Sequence, residues 1–257
     1  MIEQSAPDFV GRKIFFLYPS RVMLNGVAEE LIQQEYEVYK VRDHEKMRNV
    51  LKQFPESIVF VNIDEGMSEK DWEAWIRGIM KDPATAKAEI GILTATANET
   101  LGRKYINTVR IQCGFTVVKT DAMPAARKLY AILQSVNARG RRKYIRVNPE
   151  SEFVAMINIP HNGRFIEGVI KDISVVGLSC TFNEDPALEK NSLCRNMQIK
   201  LGSTLLKAEG IVFGSRDDKF AKIYVFLFTQ RTDPDIRTKI RKFNQSVLQS
   251  RMDAHFK

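Results

Sequence analysis

Residues 153–173 read FVAMINIPHNGRFIEGVIKDI, and this stretch separates the chain into two kinds of structure. Phe153, Ala155, Ile157 and Ile159 alternate with other side chains, a period of two that belongs to a strand with one buried face. The HNGR turn at 161–164 then leads into a second strand, FIEGVIKDI. Downstream, GLSCTF (177–182), MQIKL (197–201), LLKAEGIVFG (205–214) and AKIYVFLF (221–228) continue the pattern with short polar connections. Antiparallel strands joined in this way build a small barrel or sandwich. A basic helix from about Pro234 to Arg251 closes the chain, with Ile236, Ile240, Phe243 and Val247 on one face.

Upstream the pattern changes. KIFFL (13–17), YEVYKV (36–41), SIVFVNI (57–63), EIGILTA (89–95) and GFTVVK (114–119) are short, almost continuous apolar runs rich in Val, Ile and Phe. Such runs suit strands buried on both faces of a parallel sheet. Helical spacings of three and four lie between them: Leu24, Val27, Ala28, Leu31; Met47, Val50, Leu51, Phe54; and Trp72, Trp75, Ile76, Ile79 after a Ser68-x-x-Asp71 capping pattern. Leu101, Tyr105, Ile106 and Val109 mark a fourth helix. An Asp121 cap followed by Leu129, Ile132, Leu133 and Val136 marks a fifth. Five βα units predict a doubly wound, five-stranded parallel sheet. The domain boundary is expected at 138/139, giving an α/β domain over 1–138 and an all-β domain over 139–257.

In a chain of 257 residues, 44% hydrophobic and 27% charged side chains describe a globular protein and exclude wholesale disorder. No run of 18 apolar residues offers a bilayer span, and the opening MIEQSAPDFV lacks the features of a signal peptide. Cys113, Cys180 and Cys194 are scattered without metal spacing, which suits a reducing compartment; the expected location is cytoplasmic. The net charge of +8 is uneven. Residues 1–138 hold 18 cations and 18 acids, whereas 139–257 hold 21 cations and 13 acids. The basic half therefore calls for an anionic partner or is simply a solubilising surface.

At the seam stands RGRRKYIRV (139–147), with five cationic side chains in eight positions. About 30 residues on comes Asp172-Ile-Ser174-Val-Val-Gly177, at a strand end. Arg142-Lys-Tyr-Ile-Arg146 followed by Asp-x-Ser-x-x-Gly, both flanking antiparallel strands, resembles the signature of the PilZ domain. The resemblance covers roughly 139–257, closing helix included. It implies a PilZ-type barrel and, as ligand, the bacterial second messenger cyclic di-GMP. The implied contacts are Arg141, Arg142, Arg146, Asp172, Ser174 and Gly177. Their chemistry suits that ligand. Arginine forks onto phosphate oxygens, bonds the guanine O6/N7 edge and stacks on bases. A carboxylate accepts from the guanine N1–H and N2–H₂ edge, and a serine hydroxyl donates or accepts. Glycine allows a close backbone approach.

The first half resembles a response-regulator receiver domain, with Thr94-Ala95 after the fourth strand and Lys119 at the end of the fifth. A working receiver needs acids after its first strand for Mg²⁺ and an aspartate at the end of its third to take phosphate. Here the first strand ends in Leu17-Tyr18-Pro19-Ser20. Asn62 falls at the acceptor position, and Asp64 comes two residues late. The domain reads as degenerate, without a foothold for Mg²⁺ or phosphoryl transfer.

Searches for GxxxxGK[ST], GxGxxG, HExxH, CxxC and GxSxG find none. Asp64-Glu65 reads as a loop pair, Trp72 and Trp75 as core and rim, and His161 as part of a turn. No catalytic residue, metal site or cofactor is expected. The expectation is a cyclic di-GMP effector that passes a shape change to a protein partner in motility, adhesion or virulence control. Two alternatives stand beside it: a nucleic-acid-binding regulator using the basic half, and a phosphorelay receiver with a ligand-binding output.

Overall fold

The structure, a computed structural model, describes residues 11–140, 142–149, 153–219 and 221–255. It divides into two compact units, Met1–Lys143 with Arg251–Lys257, and Tyr144–Ser250.

The first unit is a five-stranded parallel sheet in the order β2-β1-β3-β4-β5. Its strands are β1 (Ile14–Leu17), β2 (Val38–Val41), β3 (Ile58–Asn62), β4 (Glu89–Thr94) and β5 (Phe115–Val117). This is the strand order of the flavodoxin-like and receiver-like folds, in which ligands bind outside the carboxyl ends of the strands. Every residue of β1 and β3 is buried, as a sheet covered on both faces requires. Ile14 and Phe16 of β1 pack with Phe60, Leu93 and the helical residues Val27, Leu31, Leu129 and Leu133 in one layer. Alternation turns Phe15 and Leu17 to the opposite face.

Helices α2 (His44–Gln53), α3 (Glu69–Lys81) and α5 (Met123–Ser135) lie where the periodicity placed them. Asp43 caps α2 through the Lys46 amide, and Ser68 caps α3 through the Asp71 amide. Asp121 accepts from the Met123 amide at the start of α5, although Ala122 is the capping residue by backbone position. The other two helices depart from a simple α-helical stripe. A π-helical segment, Met23–Ala28, leads into α1 (Glu29–Gln33), and α4 (Glu99–Arg103) runs into a second, Lys104–Val109. The i→i+5 winding rotates the buried stripe. Met23 is buried and Leu24 is not, and Ile106 is exposed although its spacing marked it for the core.

The second unit is a closed antiparallel barrel in the order β10-β11-β8-β7-β6-β9. It is built from β6 (Ala155–His161), β7 (Arg164–Ser174), β8 (Gly177–Phe182), β9 (Leu193–Leu201), β10 (Thr204–Asp217) and β11 (Lys222–Phe228). Asn162 and Gly163 both have positive φ (48° and 78°), as the two-residue turn between β6 and β7 demands. Ile157, Ile170, Ile199, Leu206 and Phe226 fill the interior. Helix α6 (Pro234–Ala254) adds Ile236 and Ile240 to the same core, with Phe243 packed against it. The expected antiparallel barrel with a closing helix is thus present. No helix among the described residues is long and apolar enough to cross a membrane.

Candidate functional site

The two motif segments meet at the end of β7. Beyond Val169, strand β6 no longer pairs with β7, and Val147 takes the vacated position. The Val147 amide donates to the Ile173 carbonyl (3.0 Å) and the Ile173 amide to the Val147 carbonyl (2.9 Å). Antiparallel pairing about this bridge sets Arg146 diagonal to Asp172 on one face, within reach of a long side chain. Arg146 Nε lies 3.4 Å from Asp172 Oδ1, and the guanidinium remains half exposed.

A bulge aims Asp172. Ile166, Gly168 and Ile170 all point inward, so strict alternation would bury Asp172 and expose Ile173. Between Ile170 and Asp172 the register shifts: Ile170 opposes Cys180 while Asp172 opposes Ser179. The extra residue, Lys171, resets the phase, so Ile173 is fully buried and Asp172 stays partly accessible. Ser179 donates its hydroxyl to Asp172 Oδ2. Behind the site, burial pushes the Cys180 thiol above its ordinary range, with Cys194 and Asp172 adding to the effect.

Ser174 and Gly177 close the β7–β8 turn. Ser174 is buried and its Oγ donates to the Gly177 carbonyl at 3.2 Å. A Cβ on Gly177 would lie 2.2 Å from the Phe226 carbonyl oxygen on β11. The turn residues Val175 and Val176 are apolar, and the Val176 carbonyl accepts from the Phe228 amide at 2.9 Å. From α6, Asn244 Nδ2 donates to the Ile173 carbonyl at 3.3 Å. The turn is thereby fixed from two sides.

Of the three candidate arginines, Arg141 lies outside the described residues, and Arg142 is exposed. Arg139, which opens the basic run, is fastened within the first unit: it donates to the Gln34 carbonyl at 2.6 Å and stacks 5.0 Å over the Tyr36 ring. Arg139 and Arg146 each have a partner before any ligand arrives.

At the carboxyl ends of the first unit's strands, Asn62 is buried, donating to the Tyr18 carbonyl (2.9 Å) and accepting from the Asp64 amide (3.2 Å). Asp64 turns its carboxylate onto β4: Oδ1 accepts from Thr94 Oγ1 and Oδ2 from the Ala95 amide, both at 2.6 Å. Tyr18, His44 and Trp72 form an aromatic cluster with ring centroids 5.7–6.2 Å apart. Trp72 Nε1 donates to the Glu65 carbonyl at 2.9 Å. Among the described residues, no group of three His, Cys, Asp or Glu side chains is placed to hold a metal ion.

No family model matches the chain, nor does any curated protein. Solved structures do. One is the PilZ domain with c-di-GMP of YcgR from Escherichia coli, at 14% identity over 42% of this chain and 91% of that one, TM-score 0.37. Another is the K. pneumonia MrkH–c-di-GMP complex, at 19% identity over 42% of this chain and 51% of that one, TM-score 0.35. A response regulator from Thermotoga maritima is similar at 17% identity over 49% of this chain and 99% of that one, TM-score 0.39. The match to the MrkH chain thus spans about half of its length.

Sequence reasoning named Arg146, Asp172, Ser174 and Gly177, and all four lie on or beside the β7–β8 turn. It missed Ser179. The only available signal was a hydroxyl between two apolar residues, Leu178 and Cys180, on a strand buried throughout its first four positions. Asp64 is a loop residue, as read from the sequence, but its carboxylate's tie to the end of β4 was not foreseen.

Proposed function

We propose that this chain is a bacterial cyclic di-GMP receptor whose ligand site is formed by Arg141, Arg142 and Arg146 with Asp172, Ser174 and Gly177. One observation carries the reading: the Val147–Ile173 bridge holds Arg146, the last arginine of its motif, beside the Asp-x-Ser-x-x-Gly turn, 3.4 Å from Asp172. The chemistry follows from that pair. An incoming phosphate or guanine O6/N7 edge competes for the half-exposed guanidinium of Arg146. As the arginine turns to the ligand, Asp172 is left with an acceptor oxygen for the guanine N1–H and N2–H₂ donors. Gly177 keeps β8 close against β11, so the turn does not yield when the ligand binds.

The proposed output is a change of shape passed to a protein partner, in keeping with an arginine segment that also joins the two units of the chain. Calorimetric titration of the full chain with cyclic di-GMP tests the reading. Binding at micromolar ligand is expected. Arg146→Ala and Arg142→Ala should each weaken it by about thirtyfold to several-thousandfold, corresponding to about 2–5 kcal/mol for a lost charged partner. An unaltered protein that fails to bind at micromolar ligand overturns the proposal.

A further inference from the structure

Ser179 stands outside the Asp-x-Ser-x-x-Gly pattern, yet its side chain touches the acceptor at the centre of the proposed site. It faces Asp172 directly across the β7–β8 ladder, is only 4% exposed, and donates its hydroxyl to Asp172 Oδ2. Packing alone does not call for a serine there. Its neighbours Leu178 and Cys180 are buried, and a hydroxyl in such a place is costly unless bonded. Its bond to the carboxylate accounts for it.

We infer, building on the cyclic di-GMP reading, that Ser179 is a positioning residue for guanine recognition: it fixes one oxygen of Asp172 so that the other is presented to the ligand. The two oxygens of Asp172 have different partners. Oδ2 accepts from the buried hydroxyl, while Oδ1 faces Arg146 Nε at 3.4 Å, a long contact. The terminal torsion of an aspartate is soft, so an untethered carboxylate rotates readily. Freed from Ser179, it can turn both oxygens onto the guanidinium and form the stronger two-pronged pair. That pair would withdraw the acceptor and Arg146 together. With Ser179 in place the arginine contact stays exchangeable, and Oδ1 changes partner when ligand enters. The Lys171 bulge completes the arrangement by keeping Asp172 opposite Ser179 and out of the core.

The test is a double-mutant cycle on the full chain, titrating cyclic di-GMP and cyclic di-AMP into the unaltered protein, Ser179→Ala, Asp172→Ala and the double variant. Ser179→Ala removes a single oxygen, and circular dichroism and a melting curve establish that it is folded. Expected is a roughly ten- to hundredfold loss of cyclic di-GMP affinity in Ser179→Ala, the range for a hydrogen bond to a charged group. No further loss is expected when the change is added to Asp172→Ala. The preference for cyclic di-GMP over cyclic di-AMP should narrow, because adenine lacks the N1–H and N2–H₂ donors that the carboxylate reads. Additive losses in the cycle, or equal weakening of both ligands, would mean that Ser179 only supports the barrel, and would overturn the inference while leaving the receptor reading intact. Absence of cyclic di-GMP binding by the unaltered protein would remove both.

Discussion

A Cβ built on Gly177 would sit 2.2 Å from the Phe226 carbonyl oxygen and 3.2 Å from the Leu227 Cα, both in the backbone of β11. Backbone cannot swing aside as a side chain can, so Gly177→Ala should force β8 and β11 apart. A loss of about 1–3 kcal/mol is expected, the range for overpacking a tight site, read as a lower midpoint in urea. Unchanged stability would show that the strand pair yields more easily than its spacing implies. The glycine was legible as part of a motif, but its reason was not, because the clash is with a strand almost 50 residues away. The cysteines make a second case at this scale. Burial first, and then the Glu89 carboxylate, pushes Cys113 up to about 12; burial alone pushes Cys194 up to about 11. Below those values the thiols stay protonated, and only thiolates react quickly. Ellman's reagent at pH 8 should therefore label them only as the chain unfolds, and rapid labelling of the native protein would contradict their burial.

Between elements, Asp64 ties the loop after β3 to the loop after β4 through Thr94 and Ala95. Both carboxylate oxygens are engaged, and the place of an acceptor aspartate is filled by Asn62, an amide. Incubation with acetyl phosphate and Mg²⁺ is expected to leave the intact mass unchanged; an acyl phosphate on Asp64 would revive the phosphorelay alternative. In the barrel, Asp185 joins the β8–β9 connection to β11. The Tyr224 hydroxyl, then the Ala187 amide, hold its carboxyl below the usual range. A carboxylate with a lowered folded value contributes stability that is full above its unfolded value and lost as pH falls through the folded one. Asp185→Asn should therefore flatten the acid limb of the melting profile, below the ordinary carboxylate range, and leave the neutral region parallel. The alternation within each strand was readable, whereas both of these ties link residues at least 30 apart in the chain.

For the molecule as a whole, two of the expectations separate by salt. Engaging many phosphates of DNA or RNA gives close to one unit of log slope per phosphate, whereas cyclic di-GMP has only two. A shallow salt dependence of ligand binding is expected; tight DNA binding with a steep slope, unaffected by Arg142→Ala, would favour the nucleic-acid regulator. Arg139 is bonded within one unit and Val147 within the other, and a ligand gripped by the short segment that joins them is expected to restrict the two units. Solution scattering with and without saturating cyclic di-GMP should differ, and Gly140→Pro, which stiffens this segment at its one glycine, should reduce the difference. Superimposable profiles would place signalling on a local barrel surface.

The order of elements could be read from the chain itself, since periods of two and of three to four residues express which faces must leave water. The same reading located the basic excess after residue 138, the paired motifs around Arg146 and Asp172, and the missing acids at Tyr18 and Pro19. What the tertiary structure decided were features set by distant partners. The bulge at Lys171 turns Asp172 out of the core because β8 fixes the register opposite it. Ser179 gained a role from the residue across the ladder, and Asp64 from a hydroxyl and an amide 30 and 31 residues away. Local periodicity reports the environment a side chain needs, whereas the partner it meets depends on how long loops close and strands pair.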